Sequence, residues 1–244
     1  MELNSYIDHT NLKKDAKAED IMKLCEEAIK YHFASVCVYP YYVKACKDYL
    51  KDSNVEICTV IGFPNGMNTT NTKVYEAIDA VENGATEIDM VINIGALKDK
   101  NYDYIKQEIC EIRDALAGKT LKVIIETCLL TDEEIIKMTQ ICNETFVNFI
   151  KTSTGFDKEG ATVHAVELMN QYKNEVLEIK ASGGIRDIDT AEAMIKAGAT
   201  RLGTSSGVKL MQIDSKCTCD DECDCHHKDH ECTCGNECNC HHED

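Results

Sequence analysis

The chain has 244 residues, a formal net charge of −17 and 15 cysteines, with 43 Asp and Glu against 26 Lys and Arg. A hydrophobic share of 43% can bury a sizeable core and excludes global disorder, while the acidic balance argues against nucleic acid as a partner. No stretch reaches the ~18 apolar residues of a membrane span, and Met1 to Ser5 show no basic region leading into an apolar run, so a cytoplasmic protein off the membrane is expected, its cysteines thiols or metal ligands rather than disulfides.

Short runs rich in Val and Ile predict strands at residues 5–9, 35–39, 58–61, 87–92, 122–126, 149–152, 178–181 and 201–203. Helical spacing lies between them. Ile21, Leu24, Cys25 and Ala28 would share one helix face, and so would Ile105, Ile109, Ile112 and Leu116. Thr131 and Glu134 have capping-box spacing before Ile135, and Asp189 and Glu192 repeat it before Ala193. Gly84 and Gly198 sit where helices would end. Strands alternating with helices imply a parallel sheet. Eight such units in residues 1–213 suit an α/β fold of the closed (β/α)₈ TIM-barrel type. An open doubly wound sheet is the alternative; it would usually place a Gly-rich turn after the first strand, and none follows Asp8-His9-Thr10.

In such barrels the chemistry sits at the C-terminal ends of the strands. Those ends carry Asp8, Cys37 with Tyr39, Phe63 with Asn65, Asp89 with Asn93, Glu126, Lys151, Lys180, and Gly203 with Ser205 and Ser206. A lysine inside an apolar strand must lose its charge or find partners. A desolvated lysine beside a second cation has a lowered pKa and becomes an amine nucleophile. The plainer alternative is a lysine that snorkels at the barrel rim. Two such lysines with Asp89 favour catalysis. The clusters Ser182-Gly183-Gly184 and Gly203-Thr204-Ser205-Ser206-Gly207 would offer backbone N–H groups and hydroxyls to an anion. Either could be an ordinary turn, but together they point to a phosphorylated substrate. Cys37 reads first as a small buried hydrophobe and second as a thiol open to aldehydes or oxidants. His9 reads as a strand-end hydrogen-bonder and His164 as a helix-surface residue.

The runs Tyr6-Ile7-Asp8-His9-Thr10, Gly62-Phe63-Pro64-Asn65-Gly66, Glu87-Ile88-Asp89-Met90-Val91, Phe149-Ile150-Lys151-Thr152-Ser153-Thr154-Gly155 and Lys180-Ala181-Ser182-Gly183-Gly184 follow one another in order. Together they resemble the deoxyribose-phosphate aldolase family, over nearly all of residues 1–213. The resemblance implies a class I aldolase that needs no cofactor for catalysis. It would cleave 2-deoxyribose 5-phosphate reversibly to glyceraldehyde 3-phosphate and acetaldehyde, in deoxyribonucleotide catabolism. It further implies Lys151 as the Schiff-base lysine, Lys180 as the neighbour that lowers its pKa, Asp89 as the acid/base group working through water, and Asp8 as the acidic partner of Lys180. Gly155, Gly183, Gly184, Ser205 and Ser206 would bind the phosphate. A homodimer or an assembly of dimers would follow. Lys14 and Asp187 depart from the family's pattern, both away from these positions. Another phosphate-handling Schiff-base aldolase is the nearest alternative; a metal-binding protein carried on an inactive barrel is the more distant one.

Residues 214–244 differ from the rest. They hold eight of the cysteines and a net charge of −8, leaving −9 for residues 1–213. A fifteen-residue repeat runs from Cys217 to Cys232. Its first copy offers Cys217, Cys219, Cys223, Cys225, His226 and His227, and its second Cys232, Cys234, Cys238, Cys240, His241 and His242. Cys-x-Cys pairs resemble metallothionein clusters more than zinc fingers, and the soft donors suit Zn²⁺ or Cu(I). With almost no apolar residues, such a tail is expected to be disordered until metal binds; a solvated acidic tail is the alternative. A domain boundary is expected at residues 213/214.

Overall fold

The computed structural model describes residues 2–214. The elements run β1 (Ile7–Asn11), α1 (Ala18–Tyr31), β2 (Ser35–Val38), α2 (Val43–Leu50), β3 (Glu56–Ile61), α3 (Thr70–Asn83), β4 (Glu87–Val91), α4 (Ile94–Lys98), α5 (Tyr102–Ala115), β5 (Thr120–Ile124), α6 (Asp132–Glu144), β6 (Phe149–Lys151), α7 (Val163–Tyr172), β7 (Glu178–Ser182), α8 (Ile188–Ala197), β8 (Arg201–Thr204) and α9 (Gly207–Asp214). The eight strands pair in sequence order, and β1 pairs with β8 in parallel through Ile7 and Leu202. That closure makes a (β/α)₈ barrel and sets aside the open sheet.

The helices form where the spacing predicts. Ile21, Leu24, Cys25 and Ala28 are the buried face of α1, and Ile105, Ile109 and Ile112 that of α5. The capping box of α6 is made: Glu134 N donates to Thr131 Oγ1 at 3.3 Å, and Thr131 N donates to Glu134 Oε2 at 2.9 Å. For α8 the cap is Asp187 rather than Asp189. Its carboxylate accepts from Thr190 N at 2.8 Å, so the helix starts two residues earlier than the Asp189–Glu192 spacing suggests. Gly84 and Gly198 end α3 and α8 at φ +116° and +119°, a conformation that favours glycine.

Strand limits differ from the expectation at two places that matter. Leu3–Tyr6 is a turn of 3-10 helix, so β1 starts at Ile7 and Asp8 is its second residue, not its end. Strand β5 stops at Ile124, and Glu126 lies beyond it at φ +54°.

Side chains alternate across each strand. One set, including Ile7, Val36, Ile88, Val123, Ile150 and Leu202, packs with the helices in one buried apolar cluster. This layer is the main hydrophobic core. A smaller cluster of Leu12, Cys37, Cys58 and Val60 lies apart from it. Among the described residues, no helix is long and apolar enough to cross a membrane. The predicted metal-binding residues, from Cys217 to His242, lie outside the described residues.

Candidate active site

The interior of the barrel holds charges where a core would normally be apolar. Asp8, Glu87, Asp89, Lys122, Lys151 and Lys180 are all buried. Such groups persist only when they are paired, and here they pair across strands.

Asp89 is the hub. Its Oδ2 accepts from Lys151 Nζ and from Lys180 Nζ, each at 2.7 Å. Its Oδ1 accepts from Lys122 Nζ at 3.0 Å and from Cys58 Sγ at 3.1 Å. Asp8 forms a second node, with Oδ2 2.5 Å from Lys180 Nζ and Oδ1 accepting from Arg201 Nη1 at 2.7 Å. Glu87 closes the network by accepting from Lys122 Nζ at 2.5 Å and from Arg201 Nη1 at 3.2 Å.

Burial alone would push the Asp89 carboxyl up, but Lys122, Lys151 and Lys180 outweigh it and hold its pKa well below the usual carboxylate value. Asp8 behaves alike: burial opposes its charge, and Lys180, Arg201 and Lys122 prevail. For Lys180, burial disfavours the ammonium, yet Asp8 and Asp89 raise its pKa above the ordinary lysine value. Lys180 is therefore a fixed cation beside Lys151. The two lysines are direct register partners on β6 and β7.

A cavity of about 720 Å³ opens at the C-terminal mouth of the barrel. Lys151 lines it, whereas Lys122, Lys180 and Asp89 do not. Of the three lysines in this network, only Lys151 reaches the open space. Gly155, Gly183, Gly184 and Ser205 line the same cavity, with Lys13, Lys14, Lys23 and Arg186 among the wall residues. Ser206 is not part of the wall; its N–H donates to Thr204 Oγ1 at 2.9 Å. Helix α9 begins at the next residue, so its N-terminal end adds a favourable dipole for an anion.

Gly183 shows why the loop after β7 needs glycine. It adopts φ +82°, and a Cβ there would stand 2.9 Å from Gly160 Cα and 3.3 Å from Gly155 Cα. The backbone after β7 and the loop after β6 approach too closely for a side chain.

Several residues take parts that the sequence reading did not assign. Lys122, Glu87, Arg201 and Cys58 complete the charge network. Lys122 carried the same signal as the other two lysines, a cation inside the apolar run Leu121-Lys122-Val123-Ile124. Glu126 braces the loop that follows Lys151: its Oε2 accepts from Thr154 Oγ1 at 2.5 Å and from Thr154 N at 3.2 Å. Burial raises the Glu126 pKa despite these bonds. Cys37 is buried beside the network; a hydrogen bond with Cys58 lowers its pKa against the opposing effect of burial. His9 bonds through Nε2 to Glu27 at 2.7 Å, and His164 pairs with Asp132 at 2.9 Å on the surface.

Residues 3–212 match the DeoC/LacD family aldolase profile. A deoxyribose-phosphate aldolase of Staphylococcus carnosus is 54% identical over 212 residues, covering 87% of this chain and 96% of that relative. One from Finegoldia magna is also 54% identical over 212 residues, covering 87% of this chain and all of that relative. Among solved structures, the deoxyribose phosphate aldolase of Aeropyrum pernix, described as a unique tetramer, superposes with a TM-score of 0.81 at 31% identity, covering 87% of this chain and 91% of that one.

Proposed function

The chain belongs to the DeoC/LacD aldolase family and acts as a deoxyribose-phosphate aldolase, a class I carbon–carbon lyase, and on that footing we propose that Lys151 is the nucleophile of its active site. The observation that carries this reading is the position of Lys151. It alone among the three networked lysines faces the cavity, and Asp89 holds its Nζ in place.

An amine attacks a carbonyl only as the free base. Lys151, beside the Lys180 ammonium, attacks the aldehyde carbon of the open-chain sugar. Loss of water gives an iminium. The hydroxyl on the β carbon gives up its proton, and the bond between the α and β carbons breaks. Its electron pair enters the iminium and forms an enamine, and glyceraldehyde 3-phosphate departs. Protonation of the enamine and addition of water release acetaldehyde and restore the amine. Asp89 serves the proton transfers through a water, because both of its oxygens are already engaged by lysines. Asp8 fixes Lys180 as the cation. Gly155, Gly183, Gly184 and Ser205 form the region for the phosphate dianion, with Ser206 next to it in the chain but off the cavity wall, and the remote binding energy of the phosphate holds the reacting carbons against Lys151.

The test is borohydride reduction in the presence of substrate, followed by mass spectrometry of the intact chain and its peptides. The wild-type chain gains a stable adduct on the peptide that holds Lys151. Lys151→Ala keeps its fold by circular dichroism, loses turnover and gains no adduct. An adduct in that variant, or one mapped to another lysine, overturns the assignment.

Two further parts of the reading rest on narrower support. We propose a dimer, or an assembly of dimers, which the tetramer of the Aeropyrum pernix relative supports by analogy; sedimentation of the full chain tests it. We also propose that residues 1–213 form the aldolase domain and 214–244 a separate tail in which Cys217, Cys219, Cys223, Cys225, His226 and His227, and their counterparts Cys232, Cys234, Cys238, Cys240, His241 and His242, hold Zn²⁺ or Cu(I). The repeated spacing supports this. Metal titration of the full chain, with turnover followed before and after chelation, tests it. Bound metal that chelation removes without loss of turnover is the expected result. Turnover abolished by chelation and restored by Zn²⁺ overturns the separation of tail from chemistry.

A further inference from the structure

Glu126 bears two costs at one position. Its backbone stands at φ +54°, a left-handed conformation that disfavours a residue with a Cβ. Its carboxyl is buried, and a buried carboxylate is unfavourable without partners. Asp8, Glu87 and Asp89 meet lysines or Arg201. The bonds of Glu126 are instead to neutral groups. Its Oε2 accepts from Thr154 Oγ1 at 2.5 Å and from Thr154 N at 3.2 Å, and its Oε1 faces the Cys128 thiol at 3.9 Å. Strain and burial together mark a side chain that its surroundings hold to a task.

The backbone places it there. Ile125 N donates to Lys151 O at 3.0 Å, and Thr127 N donates to Thr152 O at 2.9 Å. The chain on either side of Glu126 thus follows β6 and its continuation, and the left-handed turn at residue 126 brings the carboxyl to Thr154. From Thr154 the contact passes on. The hydroxyl that donates to Glu126 also accepts from Phe156 N at 3.1 Å. The bond encloses Gly155, which stands at φ +81° beside Gly183. Thr154, Gly155 and Phe156 all line the cavity, whereas Glu126 does not.

We propose that Glu126 is a positioning residue for the sugar phosphate: through Thr154 it holds the turn Thr154-Gly155-Phe156 against Gly183, and so sets the preference for a phosphorylated over an unphosphorylated sugar. The inference rests on the phosphate region proposed above. It assigns Glu126 no proton transfer and no contact with substrate.

The test compares kcat/KM for 2-deoxyribose 5-phosphate with kcat/KM for unphosphorylated 2-deoxyribose, in full-length chains whose thermal transitions stay cooperative. Glu126→Ala removes the acceptor. The preference for the phosphorylated sugar should fall by about tenfold or more, the scale of a lost hydrogen bond to a charged group. The loss should appear in KM more than in kcat. Glu126→Gln keeps an oxygen that can accept from both Thr154 groups and should restore most of the preference. Thr154→Val removes the hydroxyl at nearly constant shape and should act in the same direction as Glu126→Ala; it decides the matter if Glu126→Ala does not fold. Gly183→Ala is the comparison, because it disturbs the same region without touching Glu126. A preference lost in Gly183→Ala but kept in folded Glu126→Ala or Thr154→Val overturns the part given to Glu126 and leaves the phosphate region standing. A preference kept in all of these chains overturns the phosphate region itself. Equal losses on both sugars in Glu126→Ala would place its effect at Lys151 and overturn the inference, as would a Glu126→Gln chain no better than Glu126→Ala.

Discussion

Lys151 and Lys180 face each other as register partners on adjacent strands, and their Nζ atoms share one oxygen of Asp89, each at 2.7 Å. Both are buried; Lys180 is held as a cation by Asp8 and Asp89, and Lys151 borders the cavity. The two lysines thus differ in surroundings rather than in chemistry. Lys180→Met keeps the bulk of the side chain and removes the charge. Turnover should fall by about 10²-fold or more, the scale of a lost acid–base or charge contribution. Borohydride trapping on Lys151 should slow in parallel. The check is kcat together with the rate of adduct formation, in a variant whose thermal transition remains cooperative. An unchanged kcat would show that the second cation is not needed.

Lys122 is buried and does not line the cavity, yet it ties Asp89, Glu87 and Asp8 together. Lys122→Met would leave three buried carboxylates sharing fewer cations. Removing one member of a buried ion pair typically costs about 3–5 kcal/mol. The variant should show a loss of that size in a urea titration, and kcat should fall as Asp89 loses a fixed partner. A loss no larger than that of an exposed lysine would mean that the network tolerates the gap.

The sequence shows the barrel through its alternation of Val- and Ile-rich runs with helical spacing, and shows Lys151 and Lys180 because a lysine in an apolar strand is conspicuous. Lys122 is just as conspicuous in Leu121-Lys122-Val123. Its part is hidden because its partners, Glu87 and Asp89, lie on a neighbouring strand, and register between strands is a tertiary property. Arg201 is hidden for the same reason: its partner Asp8 is distant in the chain and reaches it only because β8 closes on β1. The depth of Asp8 is hidden as well. The apolar pattern of residues 5–9 does not reveal that Leu3–Tyr6 forms a turn and that the strand runs on to Asn11, which makes Asp8 an interior residue of its strand instead of a terminal one.

Asp8 and Asp89 set how stability responds to acid. Both carboxyls have folded pKa values below the ordinary carboxylate value. Between the unfolded value, about 4, and the folded one, the unfolded chain binds more protons than the folded chain. Stability therefore rises with pH through that window and is lost as pH falls below about 4. Urea midpoints should be level near neutrality and drop steeply in acid. Asp8→Asn should be less stable at neutral pH, because Lys180 and Arg201 lose their counter-ion, but its acid slope should be shallower. Parallel slopes for the two chains would remove Asp8 from the account.

A substitution at Gly183 should separate substrate binding from the chemical step. Its φ of +82° strains any side chain, and a Cβ would press on Gly160 and Gly155, whose loop follows Lys151 on the cavity wall. Lys151 itself belongs to the regular strand β6 and is anchored to Asp89, so it should hold its place when this loop shifts. Gly183→Ala should therefore raise KM for 2-deoxyribose 5-phosphate by about tenfold or more, with a smaller change in kcat, the pattern expected when binding common to ground and transition states is lost. Cleavage of unphosphorylated 2-deoxyribose, which makes no phosphate contact, should change much less. The measurement is the ratio of kcat/KM for the two sugars in each chain. A Gly183→Ala variant that loses both activities equally would place the damage at the lysines rather than at the phosphate.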